Sequence, residues 1–227
     1  MSDRTIAVIS AGLGQPSSTR LLADRLASAT VAELAARGLT TTVETFELRD
    51  VAHEILNNLL TGFPSGDLRG LLTSVTGADG LIAVSPIFTT TYSGLFKTFV
   101  DILDKDALEG MPVLLGATGG TPRHSLALEY SMRPLFTYLH ADVARTSVFA
   151  ATADWSGAPE SAGGAGRPGT SGPAIGAGRS GDENSALHSR ILRAGRELAE
   201  MAAAQPHTPP ADPYADAPSF TDLLGRP

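Results

Sequence analysis

The sequence predicts a doubly wound α/β fold, in which a five-stranded parallel sheet carries helices on both faces. Short apolar segments rich in β-branched residues alternate with longer segments whose apolar residues recur at helical spacing. Segments 81–84 and 113–117 contain no polar residue, which is typical of strands buried on both faces of a sheet. Because 42% of the 227 residues are hydrophobic, the chain can also build a substantial core.

The first part of the chain contains two predicted strands and three predicted helices. Residues 5–10 form a short buried strand, and a helix follows from about 17 to 37, where Gly38 favours a C-terminal stop. Residues 41–48 are rich in threonine with glutamates between them, which predicts a strand near a sheet edge. Two helical segments follow within 51–76, and glycine and proline residues separate them.

The second part repeats this alternation. The strand at 81–84 should end at Ser85-Pro86, because proline removes a backbone donor and favours a loop. Ser93 can cap a helix that runs to about residue 104. The remaining predicted elements are a strand at 113–117, a helix from about 125 to 139, and a strand at 141–149.

Five strands connected in this way favour the flavodoxin-like strand order 2-1-3-4-5. That order places strands one, three and four side by side, so the loops at their carboxyl ends share one edge of the sheet. These loops are residues 10–20, 85–93 and 118–124. Ligands bind at this edge in open α/β sheets, and the three loops are therefore the predicted binding site.

The predicted domain covers residues 1–204 and contains one interruption. Residues 157–181 hold nine glycines and three prolines, so the segment at about 151–184 is expected to be a flexible insertion. A closing helix follows, whose apolar stripe consists of Leu187, Ile191, Ala194, Leu198 and Met201. Residues 205–227 carry six prolines and are expected to form an extended or disordered tail.

The composition excludes several classes of function. The chain has no cysteine, which removes thiol catalysis and zinc-thiolate sites and fits a reducing, cytoplasmic compartment. A net charge of −7 argues against nucleic acids and anionic membranes as partners. No apolar run approaches the roughly 20 residues needed to span a bilayer. The histidines show no metal-ligand spacing, so no metal is expected, and no G-x-S-x-G motif marks a nucleophilic serine.

The first loop has features of a phosphate site. Ser17, Ser18 and Thr19 stand at the start of a helix, where free backbone N–H groups and the helix dipole favour an anion. Gly12 and Gly14 match part of a dinucleotide fingerprint, but its third glycine is replaced by Ser17 and there is no Walker lysine. These departures favour the phosphate of a mononucleotide. An ordinary capped helix gives the same pattern, and both interpretations remain open.

The other two loops suit a flat ring. Residues 86–88, Pro-Ile-Phe, offer backbone groups and an aromatic side chain to a heteroaromatic ring, although a loop with one exposed aromatic residue explains them equally. In residues 118–121, Thr-Gly-Gly-Thr, two residues without Cβ let the backbone approach a ligand, and their amides can donate to developing negative charge. A Gly-Gly turn before a helix is the alternative. His124 is more often solvated than a ligand contact.

Two blocks of sequence resemble a known family. They are SPIFTTTYSGLFKTFVDILD and ALEGMPVLLGATGGTPRHSLALEYSMRPLFTYLHADV. Both resemble the NAD(P)H-dependent FMN reductases of two-component monooxygenase systems, especially the flavin-reductase component of alkanesulfonate monooxygenase. The resemblance covers roughly residues 5–149 and implies a flavodoxin-like fold that binds FMN. The chain departs from the family in its longer AGLGQP approach to the first loop, its glycine-rich insertion and its proline-rich tail.

The same resemblance implies which residues bind the cofactor. For the phosphate they are Ser10, Ser17, Ser18, Thr19 and Arg20. For the ring they are Ser85, Pro86, Ile87 and Phe88. The third loop contributes Thr118, Gly119, Gly120 and Thr121, with His124 close by.

The activity implied is reduction of FMN by NADH or NADPH through hydride transfer, with reduced flavin supplied to a partner monooxygenase. A homodimer or homotetramer is implied as well. Because hydride transfer depends on positioning and needs no side-chain acid or base, no catalytic residue is assigned. Two alternatives remain open. One is an enzyme with tightly bound FMN that reduces a quinone or azo compound, and the other is a flavodoxin-type electron carrier without nicotinamide turnover.

Overall fold

The computed structural model describes residues 3–155 and 179–204, and its centre is a seven-stranded sheet. The strands are β1 (Asp3–Ser10), β2 (Thr40–Glu47), β3 (Gly80–Phe88), β4 (Thr91–Tyr92), β5 (Pro112–Gly119), β6 (Asp142–Val143) and β7 (Val148–Ala151). Their order is β2-β1-β3-β5-β6, with β4 paired to β3 and β7 paired to β5. Every pairing is parallel except the short antiparallel pair of β3 and β4.

Six α-helices flank this sheet in the described residues. They are α1 (Ser18–Ala36), α2 (Ala52–Thr61), α3 (Asp67–Gly77), α4 (Gly94–Asp101), α5 (Arg133–Tyr138) and α6 (Arg179–Ala204). Helices α1 and α6 cover one face of the sheet, and α2 to α5 cover the other. In the described residues, no helix combines the length and the apolar character needed to cross a membrane.

Side-chain alternation along the strands divides the core into two layers. In β1, Ile6 and Val8 pack toward α1 and α6, whereas Ala7 and Ile9 pack toward the opposite helices. Successive side chains of a strand point to opposite faces, so a strand covered on both sides must be apolar throughout. The predicted doubly wound fold is thereby confirmed, as is the 2-1-3-4-5 order, with the fifth strand present as two pieces.

The predicted end of the third strand is wrong. Pro86 stays in β3, where it pairs with Thr118 of β5, and the strand continues to Phe88. Strand β1 ends at Ser10, opposite Val84, so β3 has lost that neighbour before it reaches Pro86. A proline without a backbone donor is tolerated at such a one-sided position. Residues 85–88 are therefore strand and not loop.

The predicted helix at 125–139 is also interrupted. The structure has a 3₁₀ turn at Pro122–His124, a π-helical segment at Leu128–Met132 and only then α5. Pro134 lies in the first turn of α5 and has no N–H for the carbonyl four residues earlier. One continuous α-helix cannot pass through that residue without losing a hydrogen bond.

The predicted strand at 141–149 is divided into β6 and β7. The Ala144 N–H still donates to the Val113 carbonyl of β5 at 2.8 Å, and beyond it side chains bond the backbone. Arg133 Nη1 donates to the Ala144 carbonyl at 3.0 Å, and the Thr146 N–H donates to Glu197 at 2.7 Å. The polar residues at 145–147 therefore bend away from the ladder.

Both ends of the predicted insertion at 151–184 have regular structure. Residue Ala151 ends β7, the 3₁₀ turn Thr152–Trp155 follows, and α6 begins at Arg179. The flexibility predicted for the middle of this segment, and the extended tail predicted for 205–227, lie outside the described residues. The stripe of α6 is as predicted, because Leu187, Ile191, Ala194 and Leu198 are buried and Met201 packs against them.

Candidate functional site

A cavity of about 290 Å³ opens at the carboxyl edge of the parallel sheet. The first loop contributes Gly12, Leu13, Gly14, Pro16, Ser17, Ser18 and Thr19 to its lining. The ends of β3, β5 and β7 contribute Pro86, Ile87, Phe88, Thr118, Gly119, Gly120, Ala150 and Thr152. The structure thus brings together the three segments that the strand order predicted to share one edge.

The N-terminus of α1 faces this cavity through its capping residue. Ser17 is the N-cap, and its Oγ accepts a hydrogen bond from the Arg20 N–H at 3.2 Å. No acidic residue stands in the first turn. The positive end of the helix dipole is therefore not neutralised from within the helix, which favours an anion beside it.

Gly12 lets the first loop pass close to this N-terminus. A Cβ on Gly12 would lie 2.1 Å from Ser17 Oγ and 3.1 Å from Thr19 Cβ. No side chain fits in that space without moving Ser17. The absence of a Cβ therefore decides how closely the loop follows the first turn of α1.

Ser10 ends β1 directly below this loop. It is fully buried, and its Oγ has no hydrogen-bond partner in the structure. Strand alternation places the side chain on the α1 face, the same face as Val8. Burying a hydroxyl without a hydrogen-bond partner lowers the stability of a fold by about 1–3 kcal/mol. The Ser10 hydroxyl therefore suggests that a polar group from outside the protein bonds to it.

The third loop is linked to the first by a hydrogen bond between hydroxyl groups. Thr118 Oγ1 lies 2.8 Å from Thr19 Oγ1, and both side chains are buried. Beyond Thr118, a Cβ on Gly119 would lie 2.9 Å from the Phe149 ring, whereas nothing lies within 4 Å of one on Gly120. Gly119 is thus packed against Phe149, whereas the space beside Gly120 is open.

The second segment presents its apolar end to the cavity. Pro86 is buried, Ile87 is half-buried, and Phe88 is 46% exposed at the rim. Ser85 has a different role from its neighbours, because its Oγ accepts from the Ser93 N–H at 3.0 Å and donates to the Pro86 carbonyl at 2.9 Å. Ser85 braces the start of α4 and does not line the cavity.

Ser10, Arg20, Thr121 and His124 do not line the cavity either. The Arg20 guanidinium pairs with Asp24 at 2.8 Å and Glu47 at 3.1 Å, and the hydrogen bond to Asp24 raises its pKa. Thr121 and His124 are exposed beside the 3₁₀ turn. In residues 3–155 and 179–204, no group of three His, Asp or Glu side chains is placed to hold a metal ion.

A comparison with known families shows the family to which this chain belongs. A model described as NADPH-dependent FMN reductase matches residues 4–156. The chain belongs to the NADPH-dependent FMN reductase family. The resemblance of the two sequence blocks to FMN reductases is thereby confirmed, and the protein is an oxidoreductase by family.

Individual FMN reductases show the extent of the likeness. The FMN reductase (NADPH) of Pseudomonas aeruginosa is 35% identical over 150 residues, covering 66% of this chain and 78% of that protein. The NADH-dependent FMN reductase SfnF of Pseudomonas putida is 35% identical over 136 residues, covering 60% and 71%. A crystal structure of an oxidoreductase from Corynebacterium diphtheriae is 39% identical with a TM-score of 0.76, covering 90% of this chain and all of that one.

The cavity fits the group that the family name implies. FMN carries a phosphate dianion and a flat ring. The first turn of α1, which has no acidic residue, suits the phosphate. The apolar residues and the open Gly-Gly backbone elsewhere in the lining suit the ring. The space that Gly12 leaves beside Ser17 and the unpartnered hydroxyl of Ser10 both stand on the helix side. The donors and the apolar wall are thus arranged as a nucleotide with a planar ring requires.

Sequence reasoning missed part of the lining. Ala150 and Thr152 were not predicted, although they follow the fifth strand, whose carboxyl end lies on the same edge. Extending the edge argument to that strand would have found them. Gly12 and Gly14 are predicted only as a partial match to a dinucleotide fingerprint, from which Ser17 and Pro16 depart, because the contact between Gly12 and Ser17 is visible only in three dimensions.

Proposed function

We propose that this protein catalyses the reduction of FMN by NADH or NADPH. The observation that carries the proposal is the cavity at the carboxyl edge, which joins a helix N-terminus rich in hydroxyls to an apolar wall and a Gly-Gly backbone. Family membership supports the same reaction, since one relative is named for NADPH and another for NADH.

In this proposal the first loop and the start of α1 hold the phosphate. Ser17, Ser18 and Thr19 supply hydroxyl and backbone donors, and Thr118 fixes Thr19 from the neighbouring strand. Ile87 and Phe88 hold the ring, and the Gly119-Gly120 backbone approaches it from the β5 side. Bound FMN supplies the acceptor for a hydride from the nicotinamide ring. The protein contributes position, and no side-chain acid or base is required.

We propose further that reduced FMN leaves this site for a partner monooxygenase in the cytoplasm. The cavity is open and its walls are loop and strand ends, which suits a flavin that enters and departs. The absence of cysteine from all 227 residues fits the reducing compartment.

A homodimer or homotetramer is part of the proposal. Large apolar side chains are exposed on α2 and the turn after it, where Leu60 is 75% and Phe63 is 78% exposed. Tyr130 and Tyr138 are also exposed on the helical side opposite α1 and α6. Exposed apolar side chains concentrated on one side mark surfaces that other protein chains cover. Size-exclusion chromatography with light scattering measures the number of subunits.

The deciding experiment is an assay of NADH and NADPH oxidation by the full chain, with and without added FMN, together with the visible spectrum of the protein as isolated. We expect oxidation that depends on added FMN. Absence of both FMN binding and nicotinamide oxidation contradicts the proposal. Retained flavin with ping-pong transfer to a quinone or azo compound supports the first alternative, and bound flavin without nicotinamide turnover supports an electron carrier.

A further inference from the structure

Arg49 lies in the 3₁₀ turn Leu48–Val51 that follows β2, and it reaches the loop that lines the cavity. Its Nη1 donates to the Gly14 carbonyl at 2.8 Å, and Gly14 is part of the cavity lining. The Arg49 side chain is only 17% exposed. It does not itself line the cavity, so any effect on a ligand passes through the loop at 12–16.

Glu47 holds Arg49 and connects it to α1. Arg49 Nη2 lies 2.7 Å from Glu47 Oε2, and Arg20 Nη1 lies 3.1 Å from Glu47 Oε1. The side chains of Glu47 and Arg49 are 15% and 17% exposed, so their contact is less accessible to water than an ordinary surface ion pair, whereas the Arg20 side chain is 36% exposed. Arg20 belongs to the first turn of α1. One carboxylate therefore fixes both the loop and the helix N-terminus to the end of β2.

We propose that Arg49 is a positioning residue for the phosphate of FMN. A loop with two glycines samples many conformations when it is free, and ordering it upon binding costs free energy. The hydrogen bond from Arg49 to the Gly14 carbonyl holds the loop beside Ser17 before the ligand binds, and the ion pair with Glu47 holds Arg49 in place. This lowers the free energy needed to order the loop upon binding. An arginine suits the role because one nitrogen of its planar guanidinium donates to the Gly14 carbonyl while another stands in an ion pair with Glu47, which a single lysine ammonium does less well.

This inference rests on the proposed function. It predicts that replacing Arg49 weakens the binding of flavins that carry a phosphate and leaves the binding of other flavins nearly unchanged. Riboflavin has the same ring as FMN but no phosphate. In Arg49→Ala, the dissociation constant for FMN should rise about tenfold, the size expected for one lost charge-assisted hydrogen bond. The constant for riboflavin should change by less than about twofold. Both constants are measured by quenching of flavin fluorescence with the full chain.

Arg37→Ala is the matched control. Arg37 also donates to a carbonyl, that of Glu33 at 2.8 Å, and pairs with the carboxylates of Glu33 and Glu200, but it stands away from the cavity. We expect wild-type constants for both flavins in this variant. Arg49→Lys keeps the charge and loses the fork, and should show a smaller fall in the preference for FMN over riboflavin than Arg49→Ala.

The outcomes separate this inference from the proposed function. If Arg49→Ala weakens both flavins equally, Arg49 supports the fold in general and the inference is overturned. A wild-type preference for FMN in Arg49→Lys also overturns it, and this variant decides the question if Arg49→Ala does not fold. If the wild-type protein reduces FMN normally, these failures leave the proposed function intact. Failure of the wild-type protein to bind FMN overturns both.

Discussion

At the scale of single residues, the first loop depends on side chains that are small or absent. Gly12 approaches Ser17 more closely than any Cβ permits, and Ser17 caps α1. The hydroxyls of Thr19 and Thr118 meet across two elements. Each of these contacts holds a hydrogen-bond donor at the cavity. Adding or removing a few atoms in this loop should therefore have a large effect on FMN binding.

Gly12→Ala should weaken FMN binding and remove the cap of α1. The new Cβ would lie 2.1 Å from Ser17 Oγ, so Ser17 must rotate and lose its bond to the Arg20 N–H. Loss of an N-cap costs about 1 kcal/mol of stability. We expect FMN affinity to fall about tenfold, because the phosphate donors move with the cap.

The control for this change is Gly77→Ala at the end of α3, where nothing lies within 4 Å of the added Cβ. Flavin fluorescence titration and urea unfolding measure the two effects. Wild-type FMN affinity in Gly12→Ala would contradict the assignment of the first loop to the phosphate.

At the scale of elements, the hairpin of β3 and β4 is the clearest departure from expectation. Phe88 pairs with Thr91, so Thr89 and Thr90 alone form the turn. Their φ angles are +47° and +76°, the left-handed region that β-branched residues disfavour. Two positive φ values in a two-residue turn are typical of a type I′ hairpin, in which Asn-Gly is the favoured sequence.

Replacing Thr89-Thr90 with Asn-Gly should therefore stabilise the protein. The free energy of unfolding should rise by about 1 kcal/mol, because two strained residues are replaced by residues that accept positive φ. Urea unfolding of T89N/T90G beside the wild-type protein tests this. An unchanged or lower free energy of unfolding would show that the threonines are not strained in the turn.

The link between β6 and β7 depends on an arginine in α5. Arg133 donates to the carbonyls of Ala144 and Arg145, and its Nε lies 2.6 Å from Glu129 in the π-helical segment. The hydrogen bond from Arg133 lowers the pKa of the Glu129 carboxyl. This pair therefore contributes to stability only while Glu129 is ionised.

Glu129→Gln should lower stability at neutral pH and have a smaller effect in acid. The folded-state pKa is below the unfolded value, so the contribution is fully present above the unfolded pKa and is lost as pH falls through the folded pKa. Because Glu129 is 46% exposed, the difference at pH 7 should be less than about 1 kcal/mol. Urea unfolding at pH 7 and near pH 3 measures it, and a difference that grows toward acid pH would contradict the assignment.

At the scale of the whole molecule, the closing helix α6 secures the fold by packing against α1. Gly195 makes this approach possible, since a Cβ there would lie 2.7 Å from Ala29 Cβ and 2.9 Å from the Ala29 carbonyl carbon. The same two helices enclose the apolar layer on their face of the sheet. Their separation therefore depends on one residue without a side chain.

Gly195→Ala should destabilise the protein by about 1–3 kcal/mol, because the helices must separate to admit the methyl group. The matched control is Gly70→Ala on the exposed side of α3, where nothing lies within 4 Å. There the same substitution should stabilise by about 0.5–1 kcal/mol through helix propensity. Urea unfolding compares the two, and equal effects of the same sign would contradict the close contact.

The sequence alone determined the fold class, the strand order and the edge at which the site lies. Apolar runs such as 81–84 indicate strands buried on both faces, and turn residues indicate where elements end. Both signals can be found in the sequence because they depend on residues that are close along the chain. The resemblance of the two blocks then identified the family. Nine of the fourteen predicted cofactor residues line the cavity, since the ends of parallel strands must share an edge.

The tertiary structure decided what each side chain at that edge does. Ser85 braces α4, Arg20 pairs with Glu47, and Ser10 is buried without a partner. Thr19 meets Thr118 across 99 residues of sequence. Such pairings arise from packing between segments that are distant along the chain. Hydrophobic periodicity and secondary-structure propensity depend only on nearby residues, so they do not predict these pairings. For the same reason the sequence could not reveal that Arg49 holds Gly14 in place.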